Sequence, residues 1–89
     1  MKKARVLIVD DEKKAREGLV HLVAKIETLS CCGVCKNGIE AIETIDATRP
    51  DMVLLDIQMP GISGFEVLKS ITHQPVVIFI RKISKVSYS

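Results

Sequence analysis

The chain has 89 residues, is 47% apolar and 27% charged, and carries one Tyr, two Phe and no Trp. That length bounds a single small domain, the composition excludes a disordered tract, and the scarcity of aromatic rings argues against the stacking platforms that bind single-stranded nucleic acid. The net charge of +2 is unevenly placed: residues 1–80 hold ten Lys/Arg against eleven Asp/Glu, whereas RKISKVSYS (81–89) holds Arg81, Lys82 and Lys85 and no acid, so nucleic-acid or membrane-surface binding by the body has little support.

The first twelve residues, MKKARVLIVDDE, open basic, but the short apolar run ends in acids, unlike a secretory signal. No run nears the ~20 residues that span a bilayer, and the cytoplasm is the expected compartment. Ala4 to Val9 reads as a strand buried on both faces, stopping at Asp10-Asp11, either of which can cap a helix. Ala15, Leu19, Leu22, Val23, Ile26 and Leu29 then predict one apolar stripe on a helix from about 12 to 29, with His21 turned to solvent. SCCGVC reads as the second strand. Cys32 and Cys35 form a lone C-x-x-C with no second ligand pair, so the three cysteines, Cys31 included, are expected to pack rather than bind metal.

Asn37-Gly38 marks a turn, and Ile39, Ala41, Ile42 and Ile45 mark a short second helix ended by Arg49-Pro50. The third strand is DMVLLDI, followed by a loop from Gly61 to Gly64. A third helix, FEVLKSIT, has Phe65, Leu68 and Ile71 on one face; Pro75 separates it from the fourth strand, VVIFI. Strand and helix alternate over short connections. That pattern predicts an α/β fold with a doubly wound parallel sheet, right-handed crossovers and helices on both faces, and a ligand site outside the carboxyl ends of the strands.

Asp10 and Asp11 end strand one, and Asp56 ends strand three. If those strands are neighbours, three carboxylates converge at one rim, where they repel each other and suit a hard divalent cation such as Mg²⁺. Such a cation can neutralise a phosphoryl group in transfer. Helix capping alone accounts for one acid of the pair and leaves Asp56 unexplained.

VLIVDDE together with DMVLLDIQMPGISG resembles the receiver domain of two-component response regulators, over residues 4–80. The resemblance implies a flavodoxin-like sheet, here with four strands in the order 2-1-3-4 and three helices. It implies that Asp56 is the phosphoacceptor, taking a phosphoryl group from the phosphohistidine of a sensor histidine kinase. It also implies Mg²⁺ held by Asp11, Asp56 and the backbone carbonyl of Gln58, with Asp10 contributing largely through water. Met59-Pro60 and Gly61 to Gly64 match the loop after the acceptor, and Lys36-Asn37-Gly38 matches the turn after strand two. HQPVVIFI is similar to receivers attached to LytTR-type DNA-binding domains.

The sequence also departs from that pattern. A full receiver has five strands, and four are read here. The family's Ser or Thr at the end of strand four falls at Arg81-Lys82. Its lysine at the end of strand five has only Lys82 and Lys85 as candidates, by proximity, and Ser84 could supply a hydroxyl only if the backbone changed course. The change in composition at Arg81 implies a truncated or frame-shifted gene or an artificial end. The expectation is therefore a partial receiver over 4–80 and a basic tail over 81–89. Strand four is expected to be an open edge, and the chain is expected to form a dimer through strand four or the tail. Two other classes remain open. One is an Mg²⁺-dependent phosphohydrolase, disfavoured because Gln58 stands where such enzymes carry their second Asp. The other is a switch-deficient receiver acting as a decoy or assembly module. The leading expectation is not an enzyme but a phosphoacceptor, without nucleic-acid or membrane partners of its own.

Overall fold

The computed structural model describes residues 2–81, so the expectations placed on Lys82, Ser84 and Lys85 lie outside it. Seven elements alternate: β1 (Ala4–Val9), α1 (Lys13–Ala24), β2 (Leu29–Cys35), α2 (Gly38–Thr48), β3 (Met52–Asp56), α3 (Gly64–Ser70) and β4 (Val76–Ile80). All strand pairs are parallel, and the sheet order is β2-β1-β3-β4, as expected. Parallel strands need crossovers, and helices supply them on both faces.

The strands at the centre of the sheet are apolar because water reaches neither face. Val6, Leu7, Ile8 and Val9 are completely buried, as are Val53 and Leu55. Period-two alternation sends Leu7, Val9, Val53 and Leu55 to one face, where they pack with Ala41 and Ile45 of α2 and Val67 of α3. Val6, Ile8 and Leu54 go to the other face, against Val23 and Leu19 of α1. On β4, Val77 and Phe79 join the α2/α3 side and Ile80 the α1 side, while Val76 and Ile78 stay exposed. Among the described residues no helix is long and apolar enough to cross a membrane.

Several boundaries and faces differ from the sequence expectation. The first helix stops at Ala24, and Leu29 opens β2 opposite Ala4 instead of closing the helix. Strand pairing claims Leu29, and a run of turn hydrogen bonds (Ile26 N–H to Val23 O, Leu29 N–H to Ile26 O, each 3.1 Å) makes the transition. The inward stripe is Ala15, Leu19 and Val23, at spacings of four; Leu22 and Ile26 face water. Residue 12, not an aspartate, is the N-cap of α1, and Glu12 makes no side-chain cap.

Asn37-Gly38 starts a helix rather than forming a free turn. Asn37 Oδ1 accepts from the Glu40 N–H at 2.8 Å, and Glu40 Oε1 accepts from the Lys36 N–H at 3.1 Å. Ile39 is exposed, leaving Ala41 and Ile45 as the buried face of α2. The helix ends at Arg49 in the left-handed region (φ 49°), and the Arg5 guanidinium donates to the terminal carbonyls of Thr48 (2.8 Å) and Arg49 (3.1 Å). On α3, Val67 and Ile71 point inward, whereas Phe65 is 54% exposed and its ring lies 5.0 Å from that of Phe79.

The cysteines all fall on β2, where Cys32 and Cys35 pack against the core and Cys31 does not. Cys35 is buried, Cys32 is half-buried against the larger core, and Cys31 is exposed. The register skips from Val6–Cys31 to Leu7–Gly33, so Cys32 is the extra residue of a bulge.

Candidate functional site

Because β1 and β3 are adjacent, with Val9 beside Leu55, the residues that follow them emerge together at the carboxyl rim of the sheet. Asp10 and Asp56 are buried there, while Asp11 is exposed. One carboxylate oxygen from each of Asp10, Asp11 and Asp56 lies within 4.8 Å of the others. The convergence expected from the sequence is thus present. Among the described residues this is where three potential metal ligands of the His, Cys, Asp and Glu types come together.

The two buried aspartates are held the same way. Asp10 Oδ1 accepts from the Glu12 N–H at 2.9 Å, and Asp56 Oδ1 accepts from the Gln58 N–H at 3.1 Å. Each is an aspartate bonded to the backbone two residues on, which stops rotation of the carboxylate and turns the chain off the strand end. The Asp10 backbone is tied twice more: its N–H donates to Cys35 O at 3.1 Å, and its carbonyl accepts from Arg16 Nη1 at 2.9 Å. Arg16 was not singled out from the sequence. It lies six residues beyond Asp10, a spacing that carries no signal until α1 folds back toward the rim.

The loop after Asp56 is shaped by glycine at two places. Gly61 has φ 85°, a region that side chains rarely adopt. Gly64 lets α3 start hard against the end of β3: a Cβ there would sit 3.0 Å from the Asp56 carbonyl oxygen and 3.3 Å from Ile57 Cα. Its N–H donates to Ile57 O at 3.2 Å, and Ser63 closes a capping box with Glu66.

Asp56 opens onto a cleft of about 280 Å³ lined also by Ile57, Gln58, Phe65, Ile80 and Arg81. Gln58 was expected from the sequence. Ile80 and Arg81 enter because β4 pairs with β3 as far as Asp56–Ile80, with Ile57 N–H donating to Ile80 O at 3.3 Å, and Phe65 enters from the first turn of α3. The donor set is all hard oxygen on a partly buried, partly open rim, which fits a small divalent cation that keeps some of its water.

A sequence profile of the response regulator receiver domain matches residues 6–87. The transcriptional regulatory protein BtsR of Salmonella typhi is 44% identical over 78 residues, covering 85% of this chain and 33% of BtsR. The chain therefore spans about a third of the length of the curated relatives it matches. Among solved structures, the response regulator domain of Thermotoga maritima CheB superimposes with a TM-score of 0.83 at 34% identity, over 90% of this chain and 61% of that one. The signal receiver domain of NarL from Mycobacterium tuberculosis gives 0.84 at 33% identity, over 91% of this chain and 68% of that one. Those matches agree with the order β2-β1-β3-β4, and the chain belongs to the response regulator receiver domain family.

Proposed function

We propose that residues 4–80 form a phosphoacceptor module of a two-component relay, with Asp56 accepting a phosphoryl group from the phosphohistidine of a sensor histidine kinase, and that 81–89 are a basic tail to it. We assign Mg²⁺ to Asp11, Asp56 and the Gln58 backbone carbonyl, with Asp10 acting largely through water. The observation that carries this reading is the convergence of Asp10, Asp11 and Asp56 within 4.8 Å at the ends of adjacent strands, beside a cleft that a donor can enter.

In the transfer, an Asp56 carboxylate oxygen forms the new O–P bond as the N–P bond of the phosphohistidine breaks and its electron pair returns to the imidazole; nothing is oxidised or reduced. Bound Mg²⁺ supplies charge neutralisation at the phosphoryl oxygens. The protein supplies orientation: the Gln58 N–H holds Asp56 Oδ1, and the Glu12 N–H and Arg16 hold Asp10. Gln58 also stands where aspartate-nucleophile hydrolases carry a second acid, so the product is a phosphorylated protein rather than repeated turnover.

Incubation with acetyl phosphate and Mg²⁺, followed by intact-mass measurement of the parent and Asp56→Asn, tests the assignment. One added phosphoryl group on the parent alone is expected. Equal labelling of both places the acceptor elsewhere, and labelling of neither leaves an assembly module that does not switch.

We also propose that the chain associates with itself through β4. Val76 and Ile78 are 61% and 43% exposed on a strand that is an edge among the described residues. Light scattering at micromolar concentration should report a dimer; a monomer with β4 protected from hydrogen exchange contradicts it.

A further inference from the structure

We propose that Arg81 is a direct phosphoryl ligand at this site, its guanidinium binding the group as it arrives on Asp56. This rests on the phosphoacceptor reading of Asp56 and extends it to a residue outside the acidic cluster.

The argument starts from register. Ile80 is the partner of Asp56 across the β3–β4 ladder, and the Ile57 N–H to Ile80 O bond closes that ladder one residue beyond the acceptor. Arg81 is the next residue, so the backbone delivers it to the same rim by the last rungs of a parallel sheet. It lines the cleft of about 280 Å³ that Asp56 opens onto. Among the described lining residues it is the one cation; the others are the acceptor itself, Gln58 and the apolar Ile57, Phe65 and Ile80. Phe65 is steadied by its contact with Phe79, so an apolar wall stands beside the charged mouth.

Charge sets the need. An anionic phosphodonor must approach a rim carrying three carboxylates within 4.8 Å of each other, and the acyl phosphate it leaves behind carries more negative charge than the carboxylate it replaces. A guanidinium at the mouth opposes that repulsion during approach and grips two phosphoryl oxygens at once through its planar fork. Arg81 is exposed before transfer, so it gives up no buried partner to do so.

The test uses the 89-residue chain and two variants, Arg81→Met and Arg81→Lys. The initial rate of Asp56 labelling by acetyl phosphate with Mg²⁺ should fall about tenfold in Arg81→Met. Arg81→Lys should recover a third or more of the parental rate, because it returns the charge without the fork. The gap between parent and Arg81→Met should narrow as salt rises from ~0.05 to ~0.5 M. Mg²⁺ affinity should be unchanged or up to about twofold tighter in Arg81→Met, since a cation beside the carboxylates has been removed; weakened Mg²⁺ binding would instead mark a structural role and overturn the proposal. Labelling of Arg81→Met at the parental rate, or Arg81→Lys no faster than Arg81→Met, also overturns it while leaving Asp56 as acceptor. A parent that takes no label at Asp56 overturns the phosphoacceptor reading, and this inference with it.

Discussion

Replacing Asp11 with Asn should move the stability of the protein in opposite directions depending on whether Mg²⁺ is present. Asp11 is the exposed member of the acidic trio, with its oxygen within 4.8 Å of those of Asp10 and Asp56. At that separation in water a pair of like charges repels by about 0.9 kcal/mol, and roughly half of that survives physiological salt. The substitution relieves two such pairs, a repulsion of about 1 kcal/mol, equivalent to about 4–8 °C in melting temperature for a domain of this size. With Mg²⁺ at a hundredfold excess over its Kd, the parent gains about 2.7 kcal/mol. On the proposed ligand set the variant lacks one direct carboxylate and should gain little. Thermal melts in EDTA and in Mg²⁺ should therefore exchange order: variant above parent without metal, parent above variant with it. If Asp11→Asn melts below the parent in EDTA and still gains as much from Mg²⁺, the trio is neither repulsive nor the metal site.

Four further outcomes follow from the packing. Gly64→Ala places a Cβ 3.0 Å from the Asp56 carbonyl oxygen, a backbone atom that cannot step aside alone; it should cost about 1–3 kcal/mol and slow labelling of Asp56, and parental urea stability in this variant would contradict the close approach. Leu55→Ala empties a fully buried position next to Asp56 and should cost about 2–5 kcal/mol, a large part of the ~5–15 kcal/mol that holds a domain together, read as the urea midpoint. Burial pushes the Cys35 and Cys32 thiols above their ordinary values. The unfolded chain then loses these protons first, so stability is complete below the unfolded thiol pKa of ~8.5 and declines as pH rises from there through the folded values. Urea midpoints from pH 7.5 to 10 should show that decline, and Cys35→Ala should make it shallower. A thiol reagent at pH 7.5 should meet exposed Cys31 first.

The strand runs, the alternation with helices and the carboxylates at strand ends are legible in the sequence because each rests on local rules. A buried strand must be apolar, and a short β-to-β connection through a helix can only be parallel. VLIVDD and VLLD therefore end on the same edge of the sheet, while the order of the strands is implied by the family resemblance and not by the alternation. What local rules leave open is competition between distant partners. The first helix ends at Ala24 because Leu29 pairs with Ala4, a contact that no helical periodicity registers. Phe65 and Leu22 sit at helix-stripe spacings, yet Val67 and Val23 win the core because the sheet lies on their side. Nothing in the chain order says that Asp10 is buried while Asp11 is exposed, that Arg16 reaches back to the Asp10 carbonyl, or that Ile80 and Arg81 stand beside Asp56. Those facts depend on the register of β1, β3 and β4. Register is the sum of side-chain packing over the whole sheet, so only the tertiary structure could decide it.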